Sequence, residues 1–478
     1  LSIVYLYWKN RNNKPQPKAR FQELPVVTVQ LPMFNEKFVV DRLLESVAAL
    51  DYPQDKLEIQ ILDDSTDDTT EQCYRKVEEL KSRGFDAVCI HRTDRTGFKA
   101  GALEAATKVA KGEFLLILDA DFVPEPDLLQ KTIHFFTDEN VGLVQTRWGH
   151  INREYNLLTR IQGMYLDGHF AMEQTARNRS GRFFTFNGTA GIWRKCVIGD
   201  AGGWSHDTLT EDMDLSYRVQ LKGWRFIYLN DVVTPAELPV DMDGFKSQQH
   251  RWTKGSIQVC QKILLDIWRS NAPLKAKVEA TTHLTCNYSY LLLALLCFLV
   301  YPICTQRIPE NETVFMWFVN VALFFMTSVA VCIFYMSAQI VVRPKSWWKE
   351  LPYLPLLLTL SVGMAVNNAK AVLEAIFGHQ SAFVRTPKYG VDRKEDRRHV
   401  SQLKRNGYRA IKSVVIPVLE IACGTFFLNL IIIMIRQGHY LSPILMIPFL
   451  GFYYTGFCSL GRMISNLLPA KQTAKAKN

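Results

Sequence analysis

Residues 114–121 read FLLILDAD: an apolar run, Phe114 to Leu118, and then two carboxylates one residue apart, Asp119 and Asp121. A short apolar run that stops in acidic residues fits a strand buried on both faces of a parallel sheet, ending at a crevice. The flanking sequence repeats the alternation. Val26 to Gln30, Leu57 to Leu62 and Ala87 to His91 read as further strands, while Glu36 to Leu50, Asp67 to Arg83 and Phe98 to Lys111 carry helical spacing. Strand and helix in turn, from Pro25 to about Asp121, predict an α/β fold of the doubly wound, Rossmann-like kind with a mostly parallel sheet. Ligands bind such sheets at the carboxyl ends of the strands, where Asp63-Asp64 and Asp119-Ala120-Asp121 stand.

Outward from this core the chain changes character. It has 478 residues, more than one domain usually needs, and a charged first half precedes a strongly apolar second half. The net charge of +10 comes from basic residues lying beside apolar stretches, as in Lys9 to Arg20 and Arg393 to Arg405, a pattern of a membrane surface and not of a nucleic-acid partner. Ten cysteines are scattered with no CxxC pair, which excludes a zinc motif and a disulfide framework and fits thiols in a reducing compartment. After about Ser270, apolar stretches recur at Tyr290 to Thr305, Val314 to Val342, Leu351 to Phe377, Val414 to Ile435 and Leu441 to Leu460. Several reach the roughly 20 residues a membrane-spanning helix needs.

The expected organisation is the end of a transmembrane helix and basic linker (1–20), a cytosolic α/β domain (21–270), transmembrane and interface helices (271–470) and a basic tail (471–478). Leu1 to Trp8 followed by Lys9, Arg11 and Lys14 reads as a helix arriving in the cytosol. Tyr290 to Thr305 and Val314 to Val342 then form a hairpin around Gln306 to Thr313. A full crossing by Leu351 to Phe377 would put the basic segment Arg393 to Arg405 outside. That stretch also carries Asn367, Asn368, Lys370 and Glu374, so it is expected to lie in the interface or to re-enter, returning residues 383–388 to the cytosolic side.

Two carboxylates at a strand end suit Mg²⁺ or Mn²⁺ bridging to phosphates. Asp63-Asp64-Ser65 fits either a helix cap or nucleoside recognition. Lys99 enters a helix whose free N–H groups favour an anion, so it is either a diphosphate contact or a solvated lysine at a helix start. Thr210-Glu211-Asp212 starts a helix after Gly202-Gly203-Trp204; Thr210 reads as its N-cap, and a capped helix start is also a rigid platform for a carboxylate base. Gln248 to Trp252 pairs a guanidinium, which matches phosphate geometry, with an aromatic face on which a sugar stacks, or else with an interfacial anchor.

Together these residues resemble the processive family 2 glycosyltransferases, the group of cellulose, hyaluronan and chitin synthases. That family's Asp, DxD, TED and QxxRW correspond in order to Asp64, Asp119 to Asp121, Thr210 to Asp212, and Gln248 with Arg251 and Trp252. The stretches LPMFNE (31–36), ILDDSTD (61–67), GFKAGA (97–102) and FNGTAG (186–191) look similar to plant cellulose-synthase-like mannan and glucan synthases. The resemblance implies a type A glycosyltransferase domain joined to a transmembrane region. In it Asp63 and Asp64 bind the nucleoside, and Asp119 and Asp121 hold the metal on the diphosphate. Lys99, Gln248 and Arg251 face the leaving group. Asp212, beside Glu211, is the base, while Trp252, Phe186, Asn187 and Gly188 grip the acceptor. Phe383 to Lys388 (FVRTPK) resembles the FxVTxK gating loop, with Arg385 in place of its valine and Thr386 and Lys388 retained.

The implied activity is inverting, processive transfer of a hexose from UDP-glucose or GDP-mannose to a β-glycan secreted through the membrane region. The alternatives are a single transfer to a membrane lipid and, further off, a nucleotide-binding transporter or receptor.

Overall fold

The computed structural model describes residues 1–305, 328–380, 385–391, 414–436 and 443–467. Seven strands form one sheet: β1 (Val27–Met33), β2 (Leu57–Asp63), β3 (Asp86–His91), β4 (Phe114–Ile117), β5 (Val141–His150), β6 (Gly191–Arg194) and β7 (Arg225–Ala236). Their order is β3-β2-β1-β4-β6-β5-β7. Every neighbouring pair is parallel except the two that β6 makes.

The four expected strands are present, and β1 runs three residues beyond Gln30, in register through Met33 opposite Asp63. The polar residues that interrupt β1 and β2 pair across the two strands: Thr28 Oγ1 donates to Glu58 (2.6 Å) and Gln30 Nε2 to Gln60 (3.1 Å). Buried polar groups persist in a core only when matched in this way. On one face, the Val40–Ala48 helix lays Val40, Leu43, Leu44 and Val47 onto the sheet at helical spacing. On the other face, the Phe98–Val109 helix packs Ala102, Leu103 and Ala106.

Beyond the sheet, the 28-residue Met242–Arg269 helix leads into a helical region. Among the described residues one helix, Val415–Arg436, is long and apolar enough to cross a membrane. The number rises to three if each bent pair is one span: Leu274–Thr285 with Tyr288–Pro302 (52°), and Trp347–Gly363 with Ala365–Ile376 (40°). Leu292, Leu295, Phe298 and Leu299 on one of these helices, and Val415, Val418, Ile432 and Ile435 on another, point outward, an exposed apolar surface of the kind a bilayer covers. Asn367 and Asn368, expensive in lipid, are buried in protein, and Asn367 donates to the Lys246 carbonyl (3.1 Å). The Leu354–Gly363 and Pro443–Leu467 helices meet at glycine, where a Cβ on Gly363 would stand 2.5 Å from the Gly451 carbonyl.

The two regions are pinned together through a buried ammonium. Lys246 donates to Glu420 (2.5 Å), Ser459 (2.9 Å) and the Thr455 carbonyl (3.1 Å). Arg462 pairs with Asp241 at the start of the same helix. This fixes the height and rotation of the helix that carries Gln248, Arg251 and Trp252. Gln306 to Thr313, residues 314–327, Phe383, Arg393 to Arg405 and Lys471 to Asn478 lie outside the described residues.

Candidate active site

A crevice opens at the carboxyl ends of β1, β2 and β4, with a cavity volume of about 180 Å³. Asp119 stands two residues past the end of β4; its backbone N–H donates to Thr189 Oγ1 (2.8 Å) and its carboxylate receives Lys99 Nζ (2.5 Å). Lys99 also donates to the Gly188 carbonyl (2.8 Å). Burial works against the charge on Lys99, but attraction to Asp119 and Glu211 outweighs it and raises its pKa above the ordinary lysine value. Asp121 receives Lys388 Nζ (2.7 Å) and the Glu237 N–H (3.1 Å). Among the described residues no cluster of three His, Cys, Asp or Glu could chelate a metal. Two carboxylates in one crevice nevertheless fit Mg²⁺ or Mn²⁺, which bind through one or two carboxylates and complete their shells with water and phosphate oxygens.

Asp63 and Asp64, adjacent in sequence, face opposite ways. Asp64 lines the crevice and is gripped by both arms of Arg92 (2.8 and 2.6 Å). Asp63 is fully buried, and its carboxylate is taken up by Thr70 (2.7 Å), His91 (2.7 Å) and the Ser65 N–H (3.1 Å). It therefore stands away from the crevice and organises the loop after β2.

The Glu211–Leu221 helix presents Glu211 and Asp212 from its first turn. Thr210 precedes it but makes no side-chain cap bond, contrary to the capping expectation. Its side chain instead packs on Gly255 of the Met242–Arg269 helix. Burial first, and repulsion from Glu211 second, push the Asp212 carboxyl up to about 7, against the pull of Lys99. Gly188 has φ +79°, and a Cβ there would stand 3.0 Å from Asp212 Oδ2, so only glycine fits beside the carboxylate. Gln248, Arg251 and Trp252 occupy one face of their helix and line the same crevice. Desolvation lowers the pKa of the half-buried Arg251 guanidinium, against the attraction of Glu211, Asp119 and Asp212.

Residues 25–255 match the family described as "Glycosyltransferase like family 2". These residues are a family 2 glycosyltransferase domain. The chain is 42% identical over 284 residues to glucomannan 4-beta-mannosyltransferase 2 of Arabidopsis thaliana, covering 56% of this chain and 52% of that protein. It is 41% identical over 277 residues to glucomannan 4-beta-mannosyltransferase 1 of Oryza sativa subsp. japonica, covering 57% and 53%. The chain thus spans about half the length of the curated relatives it matches. Among solved structures, a mannosyltransferase from Pyrobaculum calidifontis in complex with GDP-Man and Mn²⁺ shares the fold, with a TM-score of 0.55 at 20% identity, covering 79% of this chain and 96% of that one.

A strap of residues 385–391 crosses the mouth of the glycosyltransferase domain's crevice, where Arg385, Thr386 and Lys388 line it. Arg385 pairs with Glu36 (2.5 Å), whose carboxyl burial raises to about 7 against the pull of Arg385. Glu237 holds the strap by its backbone: its carboxylate accepts from the N–H groups of Tyr389 (2.9 Å), Gly390 (2.9 Å) and Val391 (3.2 Å). Neither Glu36 nor Glu237 is among the site residues expected from the sequence. Glu36 carried one signal, its place in the LPMFNE stretch after β1; Glu237 carried none, because its partners are about 150 residues away.

Trp252 also walls a second chamber of about 260 Å³, which shares Trp148, Asn187 and Asp212 with the crevice. Phe186 lines only this chamber and packs edge-on against Trp193 (5.4 Å between centroids). Gln249 Nε2, Ser256 Oγ and Thr210 Oγ1, all buried beside the chamber, have no hydrogen-bond partner among the described residues. Trp148 stacks on Phe170 (4.7 Å) along its wall. Flat aromatic faces with spare polar groups between them suit a pyranose, apolar on its faces and hydroxylated at its rim.

Proposed function

We propose that this chain transfers mannosyl units, with inversion, from GDP-mannose to the end of a growing β-glycan, and does so processively at the cytosolic face of a membrane whose spanning helices receive the product. The observation that carries the reading is the position of Asp212, a carboxyl with its pKa near neutrality that faces both the crevice with the DxD residues and the chamber behind Trp252. In that arrangement the donor diphosphate lies by Lys99, Arg251 and Asp119, the nucleoside lies toward Asp64, and the acceptor hydroxyl reaches Asp212 from the chamber. The Asp212 carboxylate takes the hydroxyl proton, the acceptor oxygen bonds to the anomeric carbon from the face opposite the diphosphate, and the nucleotide leaves with the electron pair of the broken C–O bond. Asp119 and Asp121 would hold Mg²⁺ or Mn²⁺, which supplies charge neutralisation to the departing diphosphate. The mannosyltransferase names of the plant relatives support mannose as the transferred sugar.

The direct test incubates the purified chain in detergent with labelled GDP-mannose, UDP-glucose and other sugar nucleotides, and digests the product with linkage-specific glycosidases. A ladder of β-linked mannosyl products supports the proposal. A single added sugar removes processivity, and incorporation from UDP-glucose alone replaces the donor.

Because the Asp212 carboxyl lies near 7, it is protonated and idle as a base in mildly acidic buffer, so the transfer rate is expected to rise as the pH passes through about 7. Initial rates at saturating donor measure this. Glu36→Gln is expected to keep that limb, since Glu36 is not the base; a flat profile, or a limb lost in Glu36→Gln, removes Asp212 from the role.

The proposed orientation predicts opposite sides for two introduced cysteines, one at the exposed Lys222 of the sheet domain and one at Asn311 in the short polar connector. In sealed, oriented vesicles of a cysteine-depleted background, an impermeant maleimide is expected to label them from opposite faces. Labelling of both from one face overturns the arrangement.

A further inference from the structure

The chamber behind Trp252 contains a chain of polar side chains that the transfer chemistry does not use. The helical segment 157–179 opens into a π-turn over Gly168–Gln174, and such a turn advances side chains that a regular helix would keep apart. His169 and Glu173 lie on this turn and line the chamber. Asn187, between the chamber and the crevice, is held at both ends of its amide. Gln174 Nε2 donates to Asn187 Oδ1 (2.7 Å), and Asn187 Nδ2 meets His169 Nε2 (3.1 Å).

These contacts determine the proton positions. An amide nitrogen only donates, so His169 Nε2 is the acceptor and the imidazole proton sits on Nδ1. That proton points to Glu173 Oε2 (3.0 Å). Glu173 is paired in turn with Arg177 (3.2 Å), and Arg177 with Glu279 (3.0 Å). Burial raises the Glu173 carboxyl, but Arg177 and His169 outweigh it and hold it at about 2, so it is an anion throughout the working range. A carboxylate that fixes the tautomer of an imidazole, which then orients a ligand-facing group, is the logic by which metal-bound and catalytic histidines are set.

We infer that His169 and Glu173 are positioning residues for the acceptor: they lock the Asn187 amide so that its second N–H donates to a hydroxyl of the acceptor sugar seated between Trp252 and Asp212. The inference rests on the reading of the chamber as the acceptor site. The backbone N–H of Asn187 is separately tied to Gln145 (3.2 Å), so the loop keeps its path when the side chain is released. Loss of the His169 contact frees only the Nδ2 end of the amide, whose Oδ1 stays on Gln174.

The test uses the full chain in detergent with labelled GDP-mannose and β-1,4-linked mannotetraose as probes. His169→Phe is expected to raise the half-saturating mannotetraose concentration about tenfold, the effect of one lost hydrogen bond to a sugar hydroxyl, while the half-saturating GDP-mannose concentration stays within about twofold. His169→Gln, whose side-chain oxygen can accept from Asn187 Nδ2, is expected to recover most of the loss. A His169→Phe variant equal to the wild type overturns the inference and leaves the proposed function standing. Loss of donor affinity in step with acceptor affinity, with no recovery in His169→Gln, makes His169 structural and also overturns it. A wild-type chain that neither transfers nor hydrolyses GDP-mannose overturns both readings.

Discussion

Asp212→Asn is expected to leave donor affinity nearly intact while lowering turnover by roughly 10²-fold or more, the contribution typical of a positioned base. The amide is isosteric, and its oxygen can still accept the Met213 N–H that Asp212 Oδ1 accepts at 2.8 Å, so the helix start should keep its shape. What disappears is the capacity to take a proton. The same burial and the same Glu211 neighbour that raise the Asp212 pKa make the carboxylate a stronger base than a solvated aspartate. Single-turnover rates and equilibrium binding of GDP-mannose separate the two effects. Donor affinity falling in step with rate would assign Asp212 to holding the diphosphate surroundings.

Asp119→Asn and Asp121→Asn are each expected to abolish transfer and metal-dependent donor binding, because an amide cannot balance the charge of a divalent cation. The two should differ in their effect on the fold. Asp121 and Lys388 are nearly out of solvent, at 5% and 13% side-chain exposure, whereas Asp119 and Lys99 retain 35% and 18%. Removing one partner of a buried ion pair costs about 3–5 kcal/mol by leaving the other charge unmatched, and a partly solvated pair costs less. Asp121→Asn should therefore lower the melting temperature more than Asp119→Asn, and only Asp121→Asn should loosen the strap through Lys388. Thermal melts with and without Mn²⁺ and GDP-mannose check both statements. Unchanged turnover at saturating metal in either variant would remove the metal assignment.

β1 to β4 and their helices were legible in local sequence: β4 is buried throughout and reads as an apolar run, while β1, β2 and β3 keep enough β-branched and apolar residues between helical stretches to mark them as strands. The helix that follows β1 buries a single stripe and so shows helical spacing. The placement of Asp64, Asp119 and Asp121 at strand ends follows from the same periodicity, and Gln248, Arg251 and Trp252 share a face because of their i, i+3, i+4 spacing. β5, β6 and β7 were not legible. β6 has only four residues, and β5 and β7 carry Arg147, His150, Asn230 and Asp231, which blur the alternation of a strand. Neither their order nor the reversed direction of β6 has any local signal. Only the tertiary structure separated Asp63 from Asp64, since successive residues at a strand end turn to opposite sides and the buried partners of Asp63 include His91 on another strand. It alone brought Glu237 to the strap, and His169 and Glu173 to Asn187. Periodicity records which face of an element is dry; it does not record which residue of another element completes a buried charge or hydrogen bond, and that is settled only when the chain closes on itself.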